Sequence, residues 1–111
     1  MPARPPRLKR RREFTRIAAH GQRVARPGVA VQVMTVGEAP LRVGFTATKK
    51  LGNAVIRNRA KRRLREAARL LLAERTTGHE IVLLGREGTL TRPFATLLGD
   101  MRGALKQAGV L

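Results

Sequence analysis

Arginine is concentrated in one short segment of the chain, residues 57–69. Its one carboxylate is Glu66, and its six arginines and one lysine are Arg57, Arg59, Lys61, Arg62, Arg63, Arg65 and Arg69. Guanidinium groups make paired hydrogen bonds to phosphate oxygens and stack on bases. A helix face that meets only solvent usually mixes charges of both signs. The composition of this segment therefore favours binding to a polyanion over a plain solvated face.

Residue types that carry catalysis are sparse by comparison. His20 and His79 are the only histidines, and their separation does not match the spacing of metal ligands. The chain has no cysteine, and its seven carboxylates are scattered along the sequence. The glycines form no phosphate-binding loop of the Walker or dinucleotide type. We therefore expect no catalytic residue and no metal site in this chain.

The net charge indicates the same class of partner. The chain of 111 residues carries a formal charge of +17, and 19 of its 24 basic residues lie within residues 1–69. A polyanion relieves such self-repulsion, with nucleic acid as the first candidate and an anionic membrane surface as the second. The absence of Tyr and Trp argues against a base-stacking platform and favours shape and phosphate recognition of a folded RNA. No apolar run approaches the roughly 20 residues of a membrane-spanning helix, so we expect a soluble, cytoplasmic protein.

The basic segment lies on a predicted amphipathic helix. Apolar residues recur with a period of 3.6 residues at Ala60, Leu64, Ala67, Ala68 and Leu71. At 100° per residue, the opposite face carries Asn58, Arg62, Arg65 and Arg69. The sequence "TTGH" at residues 76–79 is expected to end this helix.

The chain before the basic helix is predicted to begin with a flexible basic arm at residues 1–10 and a short helix at residues 12–21. Phe14 and Ile17 share one face of that helix, and Gly21 stands where a C-cap is expected. The rest of the chain, residues 11–111, is predicted to form a single RNA-binding domain.

Alternation of apolar and polar residues predicts strands at residues 29–36 and 41–48, and the short, nearly all-apolar run at residues 80–85 predicts a buried strand. Residues 37–40, "GEAP", are interpreted as a turn, with a hairpin loop as one possibility. Residues 86–93 are interpreted as a loop, and a last helix is predicted to begin near Thr91 as its N-cap. A further short strand fits between residues 23 and 40. The order of elements predicts an α+β sandwich with helices over a small sheet.

Two stretches of sequence resemble the bacterial ribonuclease P protein component. They are "RVGFTATKKLGNAVIRNRAKRRLRE" at residues 42–66 and "LKRRREFTRIAAHGQRVA" at residues 8–25. The fixed spacing of a Lys pair, "GNAV" and "RNR" is the most specific part of the resemblance. The resemblance implies a two-layer αβββαβα sandwich like the second domain of a ribosomal small-subunit protein. It also implies an unusual left-handed βαβ crossover, where a general rule would predict a right-handed one.

The resemblance further implies an accessory role in an endoribonuclease. In the family, a large RNA subunit removes the 5′ leader of precursor tRNA with Mg²⁺, and the protein binds that RNA and the leader. We therefore expect two partners, the ribonuclease P catalytic RNA and precursor tRNA. No obligate protein partner, no membrane and no cofactor bound by the protein alone are expected.

The resemblance also assigns site residues by position. The residues expected to contact the RNA subunit are Lys49, Lys50, Asn53, Arg57, Asn58, Arg59, Lys61, Arg62 and Arg65. Those expected to contact the leader are Phe14, Arg10, Arg11, Gln32, Thr46 and Thr48. The chain departs from the family at Ala18 and Gln32, where relatives often carry an aromatic residue, and Phe14 could equally be a core residue.

Three alternatives remain open at this point. A basic ribosomal protein would share the charge, size and fold. A membrane-surface protein would need bulky apolar residues on the buried face of its basic helix, where this chain has mostly alanine. A self-contained nuclease would cleave RNA without an RNA partner, and no cluster of carboxylates or histidines supports it.

Overall fold

A computed structural model describes residues 5–111. The helices are α1 (Arg11–His20), α2 (Ala54–Leu71), α3 (Glu87–Thr91) and α4 (Phe94–Gln107). The strands are β1 (Gln22–Arg26), β2 (Val29–Pro40), β3 (Arg42–Thr46) and β4 (Thr77–Gly85), and a 3₁₀ turn occupies Lys49–Leu51. The short strand expected between residues 23 and 40 is confirmed as β1.

The four strands form one mixed sheet in the order β1-β2-β4-β3. β2 is antiparallel to both β1 and β4, whereas β3 is parallel to β4. Because α2 connects these two parallel neighbours, β3, α2 and β4 form a βαβ unit. The α+β sandwich with the order αβββαβα is confirmed, with the short helix α3 as an addition. The left hand of the crossover stays a prediction.

The main hydrophobic core lies between α2, α4 and one face of the sheet. It contains Val31 and Ile81 from the sheet, Leu64 from α2 and Met101 from α4, all fully buried. The apolar stripe predicted for α2 is confirmed: Ala60, Leu64, Ala67 and Ala68 are buried, and Leu71 is partly buried against the same core. This packing turns the polar side of α2 to solvent.

A second, smaller core lies on the opposite face of the sheet. Ile17 of α1 packs there with Leu8 and Val82, and Phe14 and Met34 are partly buried against them. α1 therefore covers part of this sheet face, as a partial layer opposite α2 and α4.

The hairpin interpretation of residues 37–40 is wrong. β4 lies between β2 and β3, so those two strands are not neighbours. β2 continues to Pro40, which pairs with Thr77, and the register shifts between Thr35 and Pro40. Gly37 in this irregular stretch has φ 61°, a conformation that favours glycine. "TTGH" is likewise not only a helix end, because β4 begins at Thr77.

The loop predicted at residues 86–93 contains α3, and Thr91 ends that helix instead of capping α4. Tertiary contacts define this short helix. The buried Thr89 hydroxyl donates to the Gly28 carbonyl at 2.5 Å and accepts from the Arg86 N–H at 2.9 Å. Pro93 is the residue that precedes α4.

Part of the predicted N-terminal arm is attached to the sheet edge. The Leu8 N–H donates to the Val43 carbonyl at 3.0 Å, and the Val43 N–H donates to the Pro6 carbonyl at 2.9 Å. Arg7 thereby forms a parallel bridge to Val43 of β3. The flexibility predicted for residues 1–4 lies outside the described residues.

Candidate nucleic-acid interface

The sequence "GNAV" forms the start of α2. Gly52 has φ 150°, which residues with a side chain rarely adopt. Asn53 is the N-cap, and its side-chain oxygen accepts the Ile56 N–H at 3.0 Å. Gly52 and Asn53 connect the 3₁₀ turn at Lys49–Leu51 to the start of α2. They thereby determine where the first basic residues of the helix lie. Asn53, an expected RNA contact, thus also has a structural role.

The expected RNA-subunit contacts form one basic surface along α2 and the preceding turn, called the α2 surface below. Its exposed members are Lys49, Lys50, Asn53, Asn58, Arg59 and Arg62, and its partly exposed members are Arg57, Lys61 and Arg65. The structure therefore brings all nine residues to the protein surface. Val55, which sequence reasoning did not single out, is 73% exposed at the start of the same surface.

Two other arginines of α2 are engaged within the fold. The Arg63 guanidinium donates to the carbonyls of Leu90 at 3.1 Å and Arg92 at 2.6 Å, next to the end of α3. The Arg69 guanidinium pairs with Glu66, and this hydrogen bond raises the pKa of Arg69. Neither arginine belongs to the expected RNA contacts, so α2 divides its cations between the fold and the surface.

Strand register places Gln32 and Thr46 on one sheet face, and α1 brings a third expected leader contact, Phe14, to the same face. Gln32 and Gly44 both pair with Val82, and Thr46 lies one row further along, opposite Leu84. The ring of Phe14 covers Gly44 on this face. Phe14, Gln32 and Thr46 are all partly exposed. The structure therefore brings these three together where α1 crosses the sheet, and we call them the leader face.

The other expected leader contacts are more dispersed. Arg11 is exposed on α1, and Thr48 is exposed between β3 and the 3₁₀ turn. Arg10 lines a groove between the N-terminal arm and α1, together with Arg12 and Arg42. Arg42 and Thr46 lie on either side of Gly44 on β3, and the Phe14 ring covers Gly44. The groove lined by Arg42 and the side chain of Thr46 are therefore separated by this ring.

A network of charged side chains holds α1 on the sheet. Glu80 is buried, and its carboxylate accepts from Arg16 at 2.6 Å and also from Arg42. These hydrogen bonds to Glu80 raise the pKa of Arg42, which pairs with Glu13 as well. Sequence analysis did not predict this network. The one clue to it was Glu80, the only carboxylate in the otherwise apolar strand "EIVLLG".

Glu13 also caps the start of α1. Its carboxylate accepts the backbone N–H groups of Arg10 at 2.9 Å and Lys9 at 3.1 Å. These two bonds, together with the nearby Arg42 charge, lower the pKa of Glu13 to about 2. The ionised carboxylate therefore helps to fix the position of α1, and with it Phe14.

Comparison with known proteins decides the family. The family model described as Ribonuclease P matches residues 2–109. A ribonuclease P protein component from Gluconacetobacter diazotrophicus is 49% identical over 112 residues, which cover 99% of this chain and 97% of the relative. The chain belongs to the ribonuclease P protein family. The resemblance seen in the sequence is confirmed, and it decides against the ribosomal and membrane-surface alternatives.

Solved structures of ribonuclease P proteins share the fold. The protein from Staphylococcus aureus matches with a TM-score of 0.79 and 28% identity, over 94% of this chain and 95% of that protein. The protein from Thermotoga maritima matches with a TM-score of 0.78 and 28% identity, over 91% and 96% of the two chains. As a ribonuclease P protein component, the chain is a subunit of the endoribonuclease that processes the 5′ ends of tRNA.

The part of the chain that the structure describes, residues 5–111, contains neither a metal-binding cluster nor a membrane-spanning helix. In this range, His, Asp and Glu side chains do not gather in any group of three or more that could hold a metal ion. None of the helices in the same range is both long and apolar enough to cross a membrane.

Proposed function

We propose that the chain binds the catalytic RNA of ribonuclease P through the α2 surface and holds the 5′ leader of precursor tRNA on the leader face. The observation that carries this proposal is the contrast between two arginines of α2 that the fold binds and two that stay exposed. Arg63 and Arg69 are bound within the protein. Arg59 and Arg62 are exposed, and no carboxylate of the described residues pairs with them.

Phosphate groups are the ligands that this surface suits best. Each guanidinium can bind two phosphate oxygens, and neutralising RNA phosphates releases counterions, which supplies affinity. α2 is anchored by its buried residues Ala60, Leu64, Ala67 and Ala68, so the cations on its exposed side are held at the spacing of the helix.

The leader face suits a single strand better than a duplex. The partly exposed ring of Phe14 can stack on one base, and the side chains of Gln32 and Thr46 can hydrogen-bond to bases or sugars. Ala18 is exposed on α1 and offers no second ring. Leader binding in this chain therefore rests on one aromatic ring and on polar contacts, with Arg10, Arg11 and Thr48 at its margins.

The proposal assigns the chemistry to the RNA subunit. Hydrolysis and the Mg²⁺ it requires belong to the RNA-containing holoenzyme. The protein lowers the repulsion between two polyanions, the catalytic RNA and its substrate, and positions them relative to each other. We further propose that the protein acts in the cytoplasm without an obligate protein partner.

Binding measurements test both halves of the proposal. The affinity of the chain for a bacterial ribonuclease P RNA should fall steeply with salt concentration, as phosphate contacts require. The reconstituted holoenzyme should then bind precursor tRNA more tightly than the same tRNA without its leader, and this preference should shrink when the protein is omitted. If the protein raised the affinity for both tRNAs equally, the proposed contact with the leader would be contradicted.

A further inference from the structure

Arg7 is held in place by its backbone on the open edge of the sheet. Its neighbours Pro6 and Leu8 both hydrogen-bond to Val43, at 2.9 and 3.0 Å. Leu8 is 5% exposed and packs into the small core beneath α1. Side chains alternate along an extended segment, so Arg7 projects to the other face of the sheet, where α2 lies.

A ring supports the Arg7 side chain on that face. The guanidinium carbon of Arg7 lies 5.6 Å from the centre of the Phe45 ring, in cation–π geometry. Pro5, Arg7, Phe45 and Arg65 line one small groove, and no acidic side chain lines it. No carboxylate of the described residues pairs with Arg7.

We infer that Arg7 is a further phosphate contact to the RNA subunit and that it extends the α2 surface across the edge of β3. This inference rests on the proposed function of α2. Arg65 belongs to that surface and lines the same groove as Arg7, so the groove joins the N-terminal arm to the α2 surface. The backbone bonds and the ring restrict the Arg7 side chain before binding, which lowers the entropic cost of the contact. Phe45 is a positioning residue in this arrangement.

The test measures affinity for a fluorescently labelled bacterial ribonuclease P RNA across a series of salt concentrations. Arg7→Ala should weaken binding several-fold and reduce the slope of log K against log salt by about 1, the effect of one lost phosphate contact. Arg7→Lys keeps the charge but loses the planar guanidinium, so it should keep the slope and bind with intermediate affinity. The matched control is Arg102→Ala, which removes an exposed arginine of α4 and should leave both quantities unchanged.

Phe45→Leu tests the role of the ring. This variant keeps an apolar side chain against the core and should lose part of the affinity, and Arg7→Ala combined with it should lose no more than Arg7→Ala alone. Additive losses would overturn the positioning role. Thermal unfolding of each variant separates lost contacts from lost structure.

Arg59→Ala distinguishes failure of this inference from failure of the proposed function. If Arg59→Ala weakens binding while Arg7→Ala behaves like Arg102→Ala, only the inference about Arg7 is wrong. If Arg59→Ala also behaves like Arg102→Ala, the α2 surface itself is not the RNA contact.

Discussion

The ring of Phe14 lies directly over Gly44, so closely that a Cβ at position 44 would come within 2.4 Å of the ring. This contact joins α1 to β3 across 30 residues of sequence, and it fixes the aromatic side chain of the leader face. Glycine is required at position 44 because of space, since Gly44 lies on a strand without a positive φ.

Gly44→Ala should therefore displace Phe14. We expect the free energy of unfolding to fall by about 1–3 kcal/mol, as for other overpacked sites, and leader affinity to fall with it. Urea unfolding followed by circular dichroism checks the first effect. The matched control is Gly99→Ala in α4, where nothing lies within 4 Å of the added methyl and alanine favours the helix. If the urea midpoint of Gly44→Ala equals that of the wild type, the close contact between Phe14 and Gly44 is contradicted.

Phe14 substitutions separate stacking from packing. Phe14→Ala removes the ring and should weaken leader binding by about 1–3 kcal/mol, the range for one lost base stack, while affinity for the RNA subunit stays unchanged. Phe14→Leu retains an apolar contact with the small core around Ile17, so it should recover stability without recovering leader affinity. Affinities of the holoenzyme for precursor and mature tRNA provide the measurement. Recovery of both properties in Phe14→Leu would show that Phe14 acts only as a core residue.

Arg59 and Arg63 are two arginines of the same helix with opposite expected effects. Arg59→Ala should weaken RNA-subunit binding and lower its salt slope by about 1, while stability changes by less than about 0.5 kcal/mol. Arg63→Ala removes the hydrogen bonds to the Leu90 and Arg92 carbonyls and should cost about 1–3 kcal/mol of stability. Salt-dependent RNA binding and urea unfolding of both variants make the comparison. If Arg63→Ala lost RNA affinity but kept its stability, the structural role assigned to Arg63 would be contradicted.

The lowered pKa of Glu13 predicts how the stability of the folded chain changes at acid pH. Its pKa is lowered from 4.5 to about 2 in the folded chain, so the folded state favours the ionised carboxylate. The stabilisation is therefore fully present above about pH 4.5 and is lost as the pH falls toward 2. Glu13→Gln removes this ionisation, so the wild type should be more stable than the variant at neutral pH. That difference should shrink between these two pH values. Urea midpoints measured from pH 7 to pH 2 give the result, and a difference that is constant over this range would contradict the assignment.

Local patterns of sequence were sufficient to predict the elements that make the α2 surface. The period of Ala60, Leu64, Ala67 and Ala68 predicted both the buried stripe and the side of the helix that faces solvent. Gly21 was correctly placed at the end of α1. Position 21 needs a glycine because two backbone carbonyls lie close to it. A Cβ there would lie 2.6 Å from the Ile17 carbonyl oxygen and 2.8 Å from the Val33 carbonyl oxygen.

Contacts between distant segments were not predictable in the same way. The insertion of β4 between β2 and β3 depends on pairing between strands that are far apart in sequence, and alternation within one strand does not specify its neighbour. α3 depends on the hydrogen bond from Thr89 to Gly28, and the position of Arg7 depends on Val43. For the same reason, the sequence placed Phe14 on α1 but could not place its ring over Gly44.

Reconstitution of cleavage tests whether the protein acts as an accessory subunit. The purified chain is mixed with a bacterial ribonuclease P RNA, and 5′ cleavage of a precursor tRNA is measured at low Mg²⁺, with RNA alone and protein alone in parallel. We predict that the protein stimulates cleavage by the RNA, that it cleaves nothing by itself, and that Arg59→Ala loses most of the stimulation. Cleavage by the protein alone, or no stimulation by a correctly folded protein, would contradict the account.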